Sequence, residues 1–284
     1  MIATLIIVFR EVLEAALVVS IVLAATRGLS RRGAWVSAGA LGGILGALIV
    51  AAFADRLAGA ISGAGQEVFN ACVLFVAVAM LGWHNVWMSQ HGREMALSLR
   101  SVGAAVSSGS RPMHVLAVVV GMAVLREGAE LVLFLYGIAA SGAGDAGGML
   151  TGALLGLSAG AALGAALYLG LLRIPSAHLF SVTGWMVVLL AAGMSAQGAA
   201  YLVQADILPT LGDSLWDTSA LLADDSLAGR ILHVLVGYSA RPYGIQVLFY
   251  ISTLCAIIVL TRVLSGKAKS ATPEGVNGRV QHAS

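Results

Sequence analysis

Six charged side chains fall inside long apolar stretches, and they come as two copies of one pattern. Arg10-Glu11-Val12-Leu13-Glu14 and Arg126-Glu127-Gly128-Ala129-Glu130 both read Arg-Glu-x-x-Glu. Glutamates three residues apart share a helix face, so both carboxylates can reach one ion. The arginine stands four residues before the second glutamate, placed to hold it by a charge-assisted bond. A charge at mid-helix in a bilayer costs about 2.5–3.5 kcal/mol on insertion scales, so six unpaired charges would cost roughly 15–20 kcal/mol. They persist only if they face inward and neutralise one another or a ligand. A single copy is compatible with a structural ion pair; two copies in one chain argue for a binding site. Four carboxylates and two guanidiniums sum to a formal charge of −2, which suits a multivalent cation. Carboxylate oxygens favour hard ions, whereas soft ions want thiolate or thioether. Ferric iron is the hardest biological candidate, although other divalent or trivalent metals also accept oxygen ligands.

The elements that must position these groups are transmembrane helices. Hydrophobic residues make up 59% of the 284-residue chain, charged ones 11%, and the mean hydropathy is +0.92; a soluble domain carries about 25% charge. About 20 apolar residues cross a hydrocarbon core. Such runs occur at Ile2–Thr26, Ala34–Ala54, Val68–Met88, Val115–Ala140, Gly148–Leu172, Leu179–Val203 and Ile245–Val263. The expected fold is therefore all-α, a polytopic bundle of seven helices filling residues 1–264. A polar tail, 265–284, is expected to be disordered. Loops on one side carry eleven Lys and Arg residues against three on the other. By the positive-inside rule the N-terminus is outside and the C-terminus cytoplasmic. The net charge of +2 gives no argument for nucleic acid. Cys72 and Cys255 lack metal-site spacing and read as small buried hydrophobes.

The first and fourth spans then run in opposite directions with the motif in each. That is the pattern of an inverted repeat, helices 1–3 (about 1–91) against helices 4–6 (about 114–204), with a seventh helix at 244–264 and the site on the pseudo-two-fold axis. Gly39, Gly43 and Gly42, Gly46 in the second span, and Gly152, Gly156, Gly160 and Gly164 in the fifth, form small-residue stripes that read as close helix packing. The outer segment, 205–243, is expected to hold a short helix over Leu227, Ile231, Val234 and Leu235 behind an Asp225/Ser226 cap.

Further candidates carry competing readings. His84, Met88 and His91 share a stripe at the cytoplasmic end of the third span, as a metal exit or as part of an aromatic belt around Trp83 and Trp87. Glu67, Asp213, Asp217, Asp224 and Asp225 would concentrate cations by field, or are simply an acidic outer loop. Gln197, Tyr201 and Gln204 would line the pathway or serve packing.

With both motifs and their spans in place, the chain resembles the high-affinity iron permease family of the iron/lead transporter superfamily, whose signature is Arg-Glu-x-x-Glu in the first and fourth of seven spans. Leu215-Trp216-Asp217-Thr218-Ser219-Ala220-Leu221-Leu222, Gly229-Arg230 and Gly237-Tyr238 are similar to its bacterial members. One departure is Val12, where many members have glycine; a valine there narrows the approach of a facing helix. The resemblance implies import of iron across the inner membrane, with no enzymatic activity and no permanently bound cofactor, Fe3+ being cargo. It also implies an external ferroxidase or iron-delivery protein, and assigns the metal to Glu11, Glu14, Glu127 and Glu130, with Arg10 and Arg126 in support. Homo-oligomerisation is left open. The alternatives are a lead or manganese permease, or a membrane redox subunit with His84, His91, His114 and His178 as haem ligands.

Overall fold

The computed structural model describes residues 1–60, 65–141, 146–170, 176–212, 214–224 and 226–270, and those residues form helices joined by turns and loops, with no strand among them. The helices are α1 (Ile2–Ala25), α2 (Arg32–Ala60), α3 (Gln66–Ser107), α4 (His114–Ala140), α5 (Ala146–Tyr168), α6 (Ser176–Gln204), α7 (Leu227–Val236) and α8 (Gly244–Ser270). Five contain stretches long and apolar enough to cross a membrane: Arg32–Ala54, Gln66–Met88, Ala146–Tyr168, Val182–Gln204 and Gly244–Leu264. The other two long helices, α1 and α4, carry the three-charge motifs.

The interior is layered. One apolar cluster joins Ile7 of α1 to Phe134 and Ile138 of α4, with Leu74, Leu81 and Met194 from α3 and α6. A second joins Val18 and Val22 of α1 to Leu116 and Val120 of α4. The early part of α1 thus meets the late part of α4 and the reverse, so the two helices are antiparallel. The charged motifs lie between the two clusters along α1 and α4.

Glycine rows let the partner helices approach. α5 packs on α1 and α2 packs on α4 more extensively than any other pairs. A methyl group built on Gly156 would lie 2.7 Å from the Leu5 carbonyl oxygen, and one on Gly43 2.6 Å from that of Gly121. Backbone is met in both cases, so neither contact can relax by a rotamer change. Val12 meets Gly160 of α5, and the corresponding Gly128 of α4 meets Ala47 of α2. The valine is accommodated because its facing residue has no side chain.

The apolar span of α3 ends at Met88 as expected, but the helix itself does not. It continues to Ser107. The polar run Ser89-Gln90-His91-Gly92-Arg93 ends the apolar stretch, yet the residues beyond it are amphipathic. Leu99 and Val106 are buried against Val18, Val22, Val36, Leu116 and Val120. A hydropathy window finds spans and overlooks such a half-buried extension. Between the His84–Glu14 contact and the Gly103–Ala25 contact, α3 covers about 28 Å of helix and α1 about 17 Å. The two helices therefore diverge or bend between these points.

Three smaller differences concern helix faces and helix ends. Cys72 and Cys255 are exposed rather than buried, on outward faces of α3 and α8. Residues 265–270, expected to be disordered, continue α8. The cap of α7 is Ser226 alone among the described residues, its hydroxyl accepting from Gly229 N at 2.9 Å; Asp225 lies outside them. α7 stops at Gly237, whose φ of +69° and contact with Gly193 of α6 both require glycine.

Overpacking a helix contact of this kind costs about 1–3 kcal/mol. Gly156→Ala is expected to lower the thermal unfolding midpoint in detergent, whereas Gly42→Ala, which meets nothing within 4 Å, leaves it unchanged. Equal midpoints for both variants would contradict the packing role.

Candidate metal centre

The two motifs converge. Arg10 Nε lies 3.0 Å from Glu14 Oε1, and Arg126 Nε lies 3.0 Å from Glu130 Oε1, so the four-residue spacing yields the same single contact in each helix. Arg10 Nη1 approaches Glu11 Oε1 only to 3.8 Å. Both Glu11 oxygens and Glu127 Oε2 are buried with no hydrogen-bond partner among the described residues. Buried polar atoms are normally bonded; carboxylate oxygens left over between two helices make this a candidate place for a cation.

His84 completes the arrangement from α3. Its Nε2 is 3.3 Å from Glu14 Oε2, and its Nδ1 faces Glu130 Oε2 directly. Donor atoms of Glu11, His84, Glu127 and Glu130 all lie within 4.8 Å of one another, so one ion could contact all four after small shifts. The surroundings are not symmetric. Arg10 is 3% exposed, while Arg126 is 40% exposed and stacks over the Trp87 ring at 4.4 Å. A cavity of about 620 Å³ between α1, α2, α4 and α5 reaches Glu11 and Glu127. A second, of about 430 Å³ beside Val76, Met80 and Trp83, reaches His84 and Glu130.

Known sequences agree with what the motifs suggest. The iron permease FTR1 family matches residues 1–273. The chain belongs to that family. It is 29% identical over 272 residues to a ferrous iron permease EfeU of Escherichia coli O6:H1, covering 93% of this chain and 98% of the relative. It is 30% identical over 259 residues to the proteins of that name in Yersinia pestis and Yersinia pseudotuberculosis, covering 89% of this chain and 90% of each relative. No solved structure matches. As a member of the iron permease family the chain is a multi-pass membrane protein and a transporter, not an enzyme.

Within this permease the remaining candidates separate. The sequence puts His84 at a membrane face beside Met88 and His91; in the structure it sits at the centre. It reads as terminal because the apolar run ends at Met88, while the helix runs on to Ser107. The signal available in sequence is the amphipathic stretch after Arg93. Met88 is half-buried, and His91 stacks on Trp87 with ring centroids 5.1 Å apart. Against the haem reading, His84 is engaged by Glu14 and Glu130; the side chain of His178 lies outside the described residues. Gln197 is half-buried on α6, and Gln204 is exposed at its end. The Tyr201 hydroxyl donates to the Ala140 carbonyl at 2.8 Å, tying α6 to α4.

The outer segment is ordered by its own polar groups. Asp217 accepts from the Ser219 hydroxyl at 2.6 Å and amide at 3.0 Å, and meets Arg241 Nε at 3.0 Å. These hydrogen bonds, those from Ser219 foremost, hold its carboxyl down at about 2. Asp224 accepts from the Ala240 amide, and Tyr238 bridges Thr218 and the Leu222 carbonyl. Asp217 and Asp224 therefore build the loop; Glu67 is half-buried, and Asp213 and Asp225 lie outside the described residues.

A carboxyl depressed on folding stabilises above its unfolded value of about 3.9, and that help is lost as pH falls through about 2. Limited proteolysis of 205–243 is therefore expected to be equally slow at about pH 5 and pH 7 and faster in Asp217→Asn at both. Cleavage of the variant at the wild-type rate would show that Asp217 does not hold the loop.

Proposed function

We propose that this permease imports iron across the inner membrane through one site made by Glu11, Glu14, Glu127 and Glu130, with Arg10 and Arg126 positioning the second glutamate of each pair. The supporting observation is that Glu11, Glu127 and Glu130 gather within one cluster with His84, Glu11 and Glu127 carrying buried carboxylate oxygens without a hydrogen-bond partner among the described residues. Glu14 lies outside that cluster, against Arg10 and His84. The arginines offset carboxylate charge in the empty site and keep Glu14 and Glu130 from swinging away. The inverted repeat is part of this reading. The α1–α5 and α4–α2 pairs correspond under it, as do the two 3.0 Å arginine contacts. With the seven-span arrangement, eleven basic residues against three put the N-terminus outside.

On that orientation Arg10 lies on the outer side of the site and is sealed, and Arg126 lies on the inner side and is partly open. The larger cavity extends from Glu11 and Glu127 toward Leu23, Ala40 and Tyr168, at the inner ends of their helices. This supports an inward-accessible arrangement, with the ion leaving along the cavity.

The ion's valence is argued from charge. Four carboxylates and two guanidiniums leave −2, which a divalent ion neutralises and a trivalent one overshoots. This favours ferrous iron, the ion in the relatives' names. The second reading, ferric iron handed over by an external ferroxidase, is favoured by the hardness of carboxylate oxygen. The two differ in their partner: ferric import needs the oxidase, ferrous import only an external source or carrier of Fe2+.

Radio-iron uptake in cells tests both points. Glu14→Gln and Glu130→Gln are expected to reduce uptake to background with normal amounts of protein in the membrane, because glutamine still offers its arginine an acceptor. Uptake by wild type is expected to persist under anaerobic, ascorbate-reduced conditions. Normal transport by either variant would overturn the glutamate site; uptake only after oxidation would select the ferric reading.

A further inference from the structure

We propose that His84 is itself a ligand of the transported ion and sets its selectivity, making the site a mixed imidazole–carboxylate centre contributed by three helices. This rests on the glutamate site proposed above and adds the donor that neither motif contains.

The geometry is specific. His84 is 2% exposed and stands between the motifs, with Nε2 at 3.3 Å from Glu14 of α1 and Nδ1 against Glu130 of α4. Both neighbours are acceptors. As an imidazolium His84 donates to both. An ion entering here takes the place of one of those protons, so that the freed nitrogen and the carboxylate it faced become two donors to the same metal. The donor atoms of Glu11, His84, Glu127 and Glu130 already lie within 4.8 Å of one another. Two donors bonded to one ion at about 2.1 Å are at most about 4.2 Å apart, so contraction by under about 1 Å closes the set.

The chemistry of the donor gives the selectivity. Imidazole binds iron, zinc, copper and nickel well, while magnesium, calcium and manganese are content with carboxylate and water. A neutral nitrogen also leaves the −2 charge of the cluster unchanged. A site of glutamates alone would select by charge; one nitrogen added to it separates ferrous iron from magnesium and calcium. Leu81 and Val86 are buried on either side of His84.

X-ray absorption at the iron edge tests this on full-length protein in lipid nanodiscs, purified without a histidine tag and loaded with Fe2+. Wild type is expected to show imidazole scattering. His84→Gln is expected to lose it, to bind Fe2+ at least about 10-fold more weakly, and to lose preference for Fe2+ over Mn2+. His91→Gln is expected to keep all three properties. Should His84→Gln fail to fold, a variant with His84 as the sole histidine serves instead, and must retain the imidazole signal. Bound iron with oxygen scattering only, or an imidazole signal that survives His84→Gln, would overturn the assignment while leaving the glutamate site standing. A wild-type protein that binds no iron would overturn both.

Discussion

Charges inside a bilayer must neutralise one another, and the rest of this structure can be understood as the means of doing so. Each arginine answers one glutamate of its own helix, at 3.0 Å in both copies. That leaves Glu127 with no ion pair among the described residues and Glu11 with only the 3.8 Å approach of Arg10. On the proposed reading, the two surpluses are brought to one place where a mobile cation serves them together. A soluble protein would hydrate such oxygens. Here apolar clusters flank the layer at both ends, and the cavities beside it are lined mostly by apolar side chains.

The packing serves the same end. Glycine rows on α5 and α2 allow those helices to lie against α1 and α4 at backbone distance. They cover the outer faces of the motif helices and leave the charged faces directed at each other. α3 and α6 close the far side, and α3 places an imidazole where the two motifs meet. Large exposed apolar side chains on α2, α5 and α8, such as Leu45, Leu154 and Ile251, are suited to lipid and play no part in the site. The outer segment is tied by its own polar groups: Asp217 to Ser219 and Arg241, Thr218 to Tyr238, and Thr218, Tyr238 and Asp224 to the local backbone.

Much of this is legible in the sequence because the membrane makes charge informative. An Arg-Glu-x-x-Glu at membrane depth has few explanations, and two in antiparallel spans have fewer. The glycine stripes, too, read as contacts at every position but Gly42, which meets nothing within 4 Å. What escapes is anything that depends on helix ends and tertiary placement. His84 stands close to the end of its apolar run and so reads as interfacial, when the helix continues amphipathically for about five further turns. Asp217 reads as one of several free acids, and only the fold shows Ser219 and Arg241 holding it. Val12 reads as an obstacle; its partner Gly160 lies four helices further along the chain and is not recoverable from local pattern.

The most direct measure of the central claim is the number of ions bound per chain by purified protein, titrated with Fe2+ under reducing conditions. A single shared centre predicts one ion per chain in wild type and none at comparable affinity in either Glu11→Gln/Glu14→Gln or Glu127→Gln/Glu130→Gln. Two ions in wild type, with one surviving when either helix is altered, would mean that each motif binds alone, and would contradict the account.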